Sequence, residues 1–248
     1  MKKVAFYGKG GIGKSTTVSN VSVALSEMGL TVMQIGCDPK GDSTRNLMGG
    51  RIIPSVLSVM GIKGDRIALE DIVHIGSGGV YCVESGGPKP GCGCAGKGII
   101  TAFEQLEALS AYDTYKPDVV LFDVLGDVVC GGFAMPIRKG YADDIYIVTS
   151  GEMMSLYAAN NIAESVRGFS KRGYASLKGL VYNSKNVEGE DELVTKASRE
   201  MDIPIVIKLN RDPVVQKAEN SGKSVIEYDP RSKMADQYRE LAVKVMEI

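Results

Sequence analysis

Short apolar, β-branched runs recur along the chain, separated by longer stretches in which apolar residues return every three or four positions. The runs at residues 3–7, 31–36, 80–83, 119–122, 145–149, 177–182 and 203–207 predict buried strands. Between them the helical period predicts helices over 15–28, 99–109, 153–169 and 191–201, with a last one over 233–246. In the first helix Val18, Val21, Ala24, Leu25 and Met28 share the inner face, and Gly29 is placed to end it. Strand and helix alternate throughout, which predicts an α/β fold with a mostly parallel sheet flanked by helices on both faces. No repeat, low-complexity linker or break in composition divides the chain, so residues 1–248 read as a single domain.

Two glycine-rich loops interrupt this pattern, at 76–79 and 84–98. The second also carries two prolines and two cysteines. A segment of that composition buries little apolar surface, so its order has to come from a ligand, a partner or a second subunit.

The first strand runs into Gly8-Lys9-Gly10-Gly11-Ile12-Gly13-Lys14-Ser15 and then a helix. This is the full context of a phosphate-binding P-loop, and it makes the expected fold that of a P-loop NTPase. Backbone amides of Gly8, Gly10, Gly11, Ile12 and Gly13, with Thr16 just beyond, are expected to wrap the phosphates at the helix N-terminus. Lys14 is expected to bridge the β- and γ-phosphates of MgATP, and the Ser15 hydroxyl to coordinate Mg²⁺. The extra Lys9 matches the variant K-G-G-x-G-K-[ST], which resembles the deviant Walker A ATPases. That resemblance implies a lysine reaching across a dimer interface to the partner's nucleotide; the competing reading is a solvated loop lysine.

Residues 119–123 form an apolar strand ending in a carboxylate, and Asp123 is expected to hold Mg²⁺ through water. Asp123-Val124-Leu125-Gly126 has the D-x-x-G form of a second switch loop, whose Gly126 amide can meet the γ-phosphate. Residues 38–44 are placed like a first switch. Asp38 and Asp42 are there the candidates to orient the attacking water or contact the metal shell, against turn or capping roles.

Five cysteines and a single His74 leave little scope for a histidine-based metal site. An odd set of cysteines within glycine-rich loops suggests metal or redox chemistry more than disulfides. Cys130 lies seven positions beyond Asp123 on one loop, a short mechanical link from phosphate to sulfur. A 4Fe–4S cluster needs four thiolates. Cys94 and Cys130 alone cannot supply them, but two chains around a two-fold axis can. The alternative is that both are small residues in tight loops. Cys92 is a spare thiol, an alternate ligand or neither, while Cys37 and Cys82 read as buried core residues.

With 29 basic and 30 acidic residues the net charge is -1, which gives no electrostatic case for nucleic acid. The N-terminus has no signal-peptide pattern, and the most apolar later region, 119–137, is interrupted by Asp123 and Asp127. No membrane role is expected, and the cytoplasm is the expected compartment.

Over nearly its whole length the chain resembles the nitrogenase iron protein family, the ATP-driven electron donors. The resemblance rests on YGKGGIGKSTT at 7–17, GCDPK at 36–40, CVESGGP at 82–88, DVLGDVVCGGFAMPI at 123–137, SGEMM at 150–154 and VIEYDP at 225–230. It implies a homodimer with one 4Fe–4S cluster bridged by Cys94 and Cys130 of each chain. It further implies that MgATP closes the dimer, and that a low-potential donor such as ferredoxin or flavodoxin feeds electrons to a nitrogenase-like catalytic protein. Lys9, Lys14, Asp38, Asp42, Asp123 and Asp127 are then the catalytic set, and Asn183, Arg211 and Asp212 stand where the family contacts adenine and ribose.

Three departures bear on the branch. Lys97 occupies the position of the arginine with which the family docks on the nitrogenase catalytic partner, and lysine lacks the planar fork. Cys92 stands where nitrogenase proteins carry an apolar residue, and the chain ends without their C-terminal extension. These features favour a nitrogenase-like reductase. FAMP at 133–136 points, among such relatives, to the nickel-sirohydrochlorin step of coenzyme F430 synthesis, with nitrogenase itself as the alternative. A partitioning or metal-delivery P-loop ATPase is the alternative of another class.

Overall fold

A computed structural model describes residues 1–87, 95–126, 135–138, 141–170 and 175–247. The chain runs β1 (Lys2–Gly8), α1 (Lys14–Glu27), β2 (Val32–Gly36), α2 (Val56–Lys63), β3 (His74–Ile75), β4 (Tyr81–Glu84), α3 (Ala95–Ala108) and α4 (Ala111–Tyr115). It continues with β5 (Val119–Leu125), α5 (Met135–Arg138), β6 (Asp144–Thr149), α6 (Met153–Ser170), β7 (Ser176–Asn183), α7 (Glu190–Glu200) and β8 (Ile205–Leu209). Three helices follow: α8 (Pro213–Asn220), α9 (Val225–Tyr228) and α10 (Lys233–Glu247).

All eight strands join one sheet in the order β3-β4-β2-β5-β1-β6-β7-β8, and only the β3–β4 pairing is antiparallel. The expected α/β sheet, mostly parallel, is therefore present. Its central strands are mostly apolar because both faces are covered. Val4 and Phe6 of β1 pack on one side with Val18, Val21, Leu25 of α1 and Leu241, Val245 of α10. Ala5 and Tyr7 point to the other, toward Ile99, Phe103 and Leu106 of α3 and Ile162 and Val166 of α6. Phe103 anchors that second layer, with ring centroids 5.2 Å from Phe122 and 4.7 Å from Tyr141.

Gly29 ends α1 in the left-handed region (φ 84°), and the Leu30 amide returns to the Leu25 carbonyl. Met28 does not belong to the inner face. It is 48% exposed, because it lies past the last helical turn, where the chain has already left the helical register. The sequence pattern also passed over β3, α2, α4, α5, α8 and α9. Most are too short for one period to register, but Asp212-Pro213 is a readable start signal: Asp212 caps α8 by accepting from the Val214 amide at 2.8 Å, with proline at the first helical position.

Candidate functional site

The site lies at the C-terminal ends of the parallel strands, where α/β sheets place their ligands. The turn after β1 is tightened by the Ile12 amide donating to the Lys9 carbonyl (3.2 Å), with Gly11 and Gly13 in the left-handed region (φ 75° and 93°). Gly13 enters α1 without a side-chain cap and no acidic residue occupies the first turn, so the positive end of the helix dipole is left for an anion. Asn183, at the end of β7, donates its amide to the Ile12 carbonyl at 2.6 Å and lies against Gly13, where an added Cβ would come within 2.4 Å of it.

A cavity of about 830 Å³ opens over this turn, within the size range of small-ligand sites. It brings together Lys9, Gly10, Gly11, Gly13, Lys14, Ser15 and Thr16 with Asp38, Asp42, Asn183, Arg211 and Asp212. Segments almost 200 residues apart in sequence thus line one hollow, as the sequence reading expects of a nucleotide site. Gly8, Ile12, Asp123 and Gly126 do not line it. Gly8 and Gly126 form a layer beneath: a Cβ on Gly126 would lie 2.3 Å from the Gly8 carbonyl group, and one on Gly8 2.6 Å from the Val148 oxygen. The Ile12 side chain is buried among the apolar residues of α1 and β6.

Lys14 and Asp123 form a buried ion pair under the cavity, with side chains 6% and 0% exposed. The second carboxylate oxygen of Asp123 accepts from the Ser43 hydroxyl. Ser43 is in turn held by Gln34 of β2, whose amide reaches the Ser43 carbonyl (3.2 Å) and hydroxyl (3.3 Å). Asp123 is therefore fixed from both sides, by the P-loop lysine and by the segment 38–44. Asp38 accepts from the Lys40 amide at 2.9 Å, the turn geometry that competed with its functional reading, while its side chain still lines the cavity. Thr16 donates to Glu219 of α8, and the Arg211 guanidinium donates to the Lys185 carbonyl at 3.2 Å.

Two residues of this neighbourhood escaped the sequence reading. Ser43 carries no motif of its own. Glu84 does: like Asp123, it is a carboxylate closing an apolar strand just before glycines. It is fully buried, and its Oε1 accepts from the Thr44 amide (2.6 Å) and hydroxyl (2.7 Å). Burial pushes its carboxyl up to about 8, with the nearby charges of Asp123 and Asp42 adding to the rise and the Thr44 donors opposing it.

Asp127, Cys92, Cys94 and Cys130 lie outside the described residues. Two observations bear on the cysteine assignment. Cys37 and Cys82 are free and fully buried, and burial raises both thiols, Cys82 to about 12, which suits core residues and not thiolate ligands. The helices that follow the two cysteine segments, α3 and α5, pack together, with Ile99, Phe103 and Ile137 in one apolar layer. Among the described residues no group of three or more His, Cys, Asp or Glu is arranged to hold a metal ion. None of the described helices is long and apolar enough to cross a membrane.

Comparison with known proteins places the chain in a family. Residues 2–248 match the family described as "4Fe-4S iron sulfur cluster binding proteins, NifH/frxC family". The chain is 49% identical to nitrogenase iron protein 2 of Methanothermococcus thermolithotrophicus, over 100% of this chain and 89% of the relative. It is 53% identical to the nitrogenase iron protein of Methanospirillum hungatei, over 99% of this chain and 88% of the relative. Among solved structures, the septum site-determining protein MinD of Pyrococcus horikoshii, complexed with Mg-ADP, superposes with a TM-score of 0.75 at 22% identity, covering 99% of this chain and 96% of that one. That likeness shows the P-loop NTPase fold alone. The chain belongs to the NifH/frxC family of 4Fe-4S iron–sulfur cluster binding proteins, the ATP-hydrolysing reductase components that carry MgATP and a 4Fe–4S cluster.

Proposed function

We propose that this chain, a single ATPase and iron–sulfur domain acting as a cytoplasmic homodimer, delivers electrons in the nickel-sirohydrochlorin a,c-diamide step of coenzyme F430 synthesis. The observation that carries this branch is Lys97. It is exposed on the first turn of α3, directly after the Cys94 segment, where the resemblance calls for a docking arginine. A lysine there offers a point charge in place of a fork, which suits a catalytic protein other than nitrogenase. The names of the two relatives favour the second reading, electron delivery to a nitrogenase catalytic protein for dinitrogen reduction. A ferredoxin or flavodoxin serves as electron donor in either case.

In this reading the amides of residues 10–13 and the α1 dipole bind the phosphates, Lys14 meets the β- and γ-phosphates, and Ser15 and Asp123 hold Mg²⁺, Asp123 through water. Lys14 pairs with Asp123 through one oxygen. A triphosphate offers it a second anionic partner, so phosphate binding and the placement of Asp123 are linked. Lys9 reaches the partner's nucleotide. Asp38, Asp42 and Asp127 position water and the metal shell, and Asn183, Arg211 and Asp212 contact base and ribose. Cys94 and Cys130 of both chains hold the cluster, which supplies a one-electron store.

The test is anaerobic reconstitution followed by assay with each catalytic protein. The protein should be brown and bleach on reduction; Cys94→Ser and Cys130→Ser should lose iron, and Cys92→Ser should keep it. A colourless, iron-free protein overturns the cluster assignment. Reduction of the nickel tetrapyrrole with its own catalytic protein, and poor acetylene or dinitrogen reduction with a nitrogenase catalytic protein, is the result expected. The reverse preference overturns the branch.

A further inference from the structure

The described end of β4 is locked to the segment 38–44 at two points. The first is Glu84, whose Oε1 takes both donors of Thr44, at 2.6 and 2.7 Å. The second is Gly87, which lies so close to Pro39 that an added Cβ would come within 2.5 Å of the proline ring and 3.1 Å of its Cα. Between them the Ser85 amide donates to the Gly36 carbonyl at 2.8 Å, tying the same stretch to the end of β2. Gly36 is required there, because any Cβ would fall 2.0 Å from Glu84 Oε2 and 2.6 Å from Ser43 Cβ. Asp38 and Asp42 of this segment line the cavity, Ser43 binds Asp123, and Thr44 binds Glu84. Residues 84–87 in turn lead directly, in sequence, to the segment carrying Cys94.

Glu84 is an unusual choice for a mere structural brace. It is wholly buried, and its Oε2 has no hydrogen-bond partner among the described residues. A buried carboxyl left half satisfied costs stability that an apolar residue would not, so the position carries a requirement beyond packing. We propose that Glu84 is a positioning residue that clamps the segment 38–44 to the end of β4, so that nucleotide-driven movement of that segment is passed to the Cys94 side of the cluster site. The inference rests on the nucleotide and cluster reading above. It adds a second path from phosphate to sulfur, through 38–44 and β4, to the one that runs from Asp123 along its own loop to Cys130. Because the clamp acceptor is a carboxyl pushed up to about 8 by burial, it carries little charge near neutral pH, and a carboxamide should replace it closely.

The test compares Glu84→Ala, Glu84→Gln and Thr44→Val with the wild-type dimer, by two readouts besides turnover. Hydrogen exchange reads the clamp directly: the Thr44 amide, which donates to Glu84, should exchange faster in Glu84→Ala and stay protected in Glu84→Gln. Iron release to a soluble chelator, with and without MgATP, reads transmission. The MgATP effect should fall roughly tenfold in Glu84→Ala, an ordinary size for coupling between two sites. Thr44→Val, which keeps the amide donor and the fold, should lose part of it, and Glu84→Gln little. MgATP affinity, measured by calorimetry, should change far less than the coupling does. A folded Glu84→Ala whose iron release responds to MgATP as in the wild type overturns the proposal, and so does an unchanged Thr44 exchange rate. If wild-type iron release ignores MgATP altogether, the ATP-gated reading fails, while the exchange rate of Thr44 still decides the clamp.

Discussion

Asp123 and Glu84 occupy equivalent places on either side of β2, yet the protein treats them in opposite ways. Both stand opposite Gly36 of β2, Glu84 as the last residue of β4 and Asp123 two residues before the end of β5. Asp123 is given a cation and a hydroxyl, one on each oxygen. Glu84 is given two donors on one oxygen and, among the described residues, none on the other and no cation. Burial pushes the Glu84 carboxyl up, and the Thr44 donors offset only part of that rise. The comparison separates an acid held by a cation from an acid whose carboxyl burial pushes up to about 8.

The strongest way to break this contrast is to remove the cation. Lys14→Met should leave Asp123 buried and uncompensated, costing about 3–5 kcal/mol in chemical denaturation. ATP hydrolysis should fall at least roughly a hundredfold with it. If stability is unchanged, the pair contributes nothing and the two acids are alike.

Gly126→Ala tests the layer beneath the cavity. Its methyl group meets Gly8 backbone at 2.3 Å, so the β5 end must move away from the P-loop, at about 1–3 kcal/mol and with loss of MgATP affinity. Wild-type affinity in this variant would mean that the two loops are not mechanically joined.

A pH titration sharpens the other half of the comparison. The carboxyl of Glu84 is raised in the folded protein from the usual 4.5 to about 8, so the unfolded chain ionises first. Between these values the unfolded state holds fewer protons, and stability falls as pH rises, levelling above about 8. Glu84→Gln lacks this slope. Its stability relative to wild type should therefore grow from pH 5 to about 8 and then stay constant. A difference flat across that window means Glu84 titrates normally.

The smallest effects belong to sites outside the contrast. Cys37 and Cys82 should resist alkylation in the native protein near pH 8, and react at once when it is unfolded. Met28→Lys, at an exposed position past α1, should change stability by less than about 0.5 kcal/mol.

What was legible in the sequence follows from the range over which each signal acts. Strands such as β1 and β5 announce themselves because residues 4–7 and 119–122 are apolar on both faces, and the P-loop because glycine, lysine and serine are fixed by local backbone geometry. The carboxylate of Asp123 was readable from its strand. Glu84 was written in the same form at the end of residues 80–83, but nothing local distinguishes an acid that meets Thr44 from one that meets water. The Gln34–Ser43, Ser43–Asp123 and Asn183–Ile12 contacts are products of tertiary approach across 9, 80 and 171 positions, and one chain's spacing holds no trace of them. The short α8 was readable from Asp212-Pro213, and was passed over because its apolar period is too brief.

The central place of β1 sets the order in which the protein can be made. Lys2 pairs with Val119 on one side, and Val4 with Asp144 on the other, so the strand that carries the P-loop has no partner among its near neighbours in sequence. Strand β1 therefore cannot pair until β5, which begins at Val119, has been made. Nucleotide affinity therefore cannot assist early folding, and the exposed apolar run of β1 is the segment that a nascent-chain chaperone would have to cover longest.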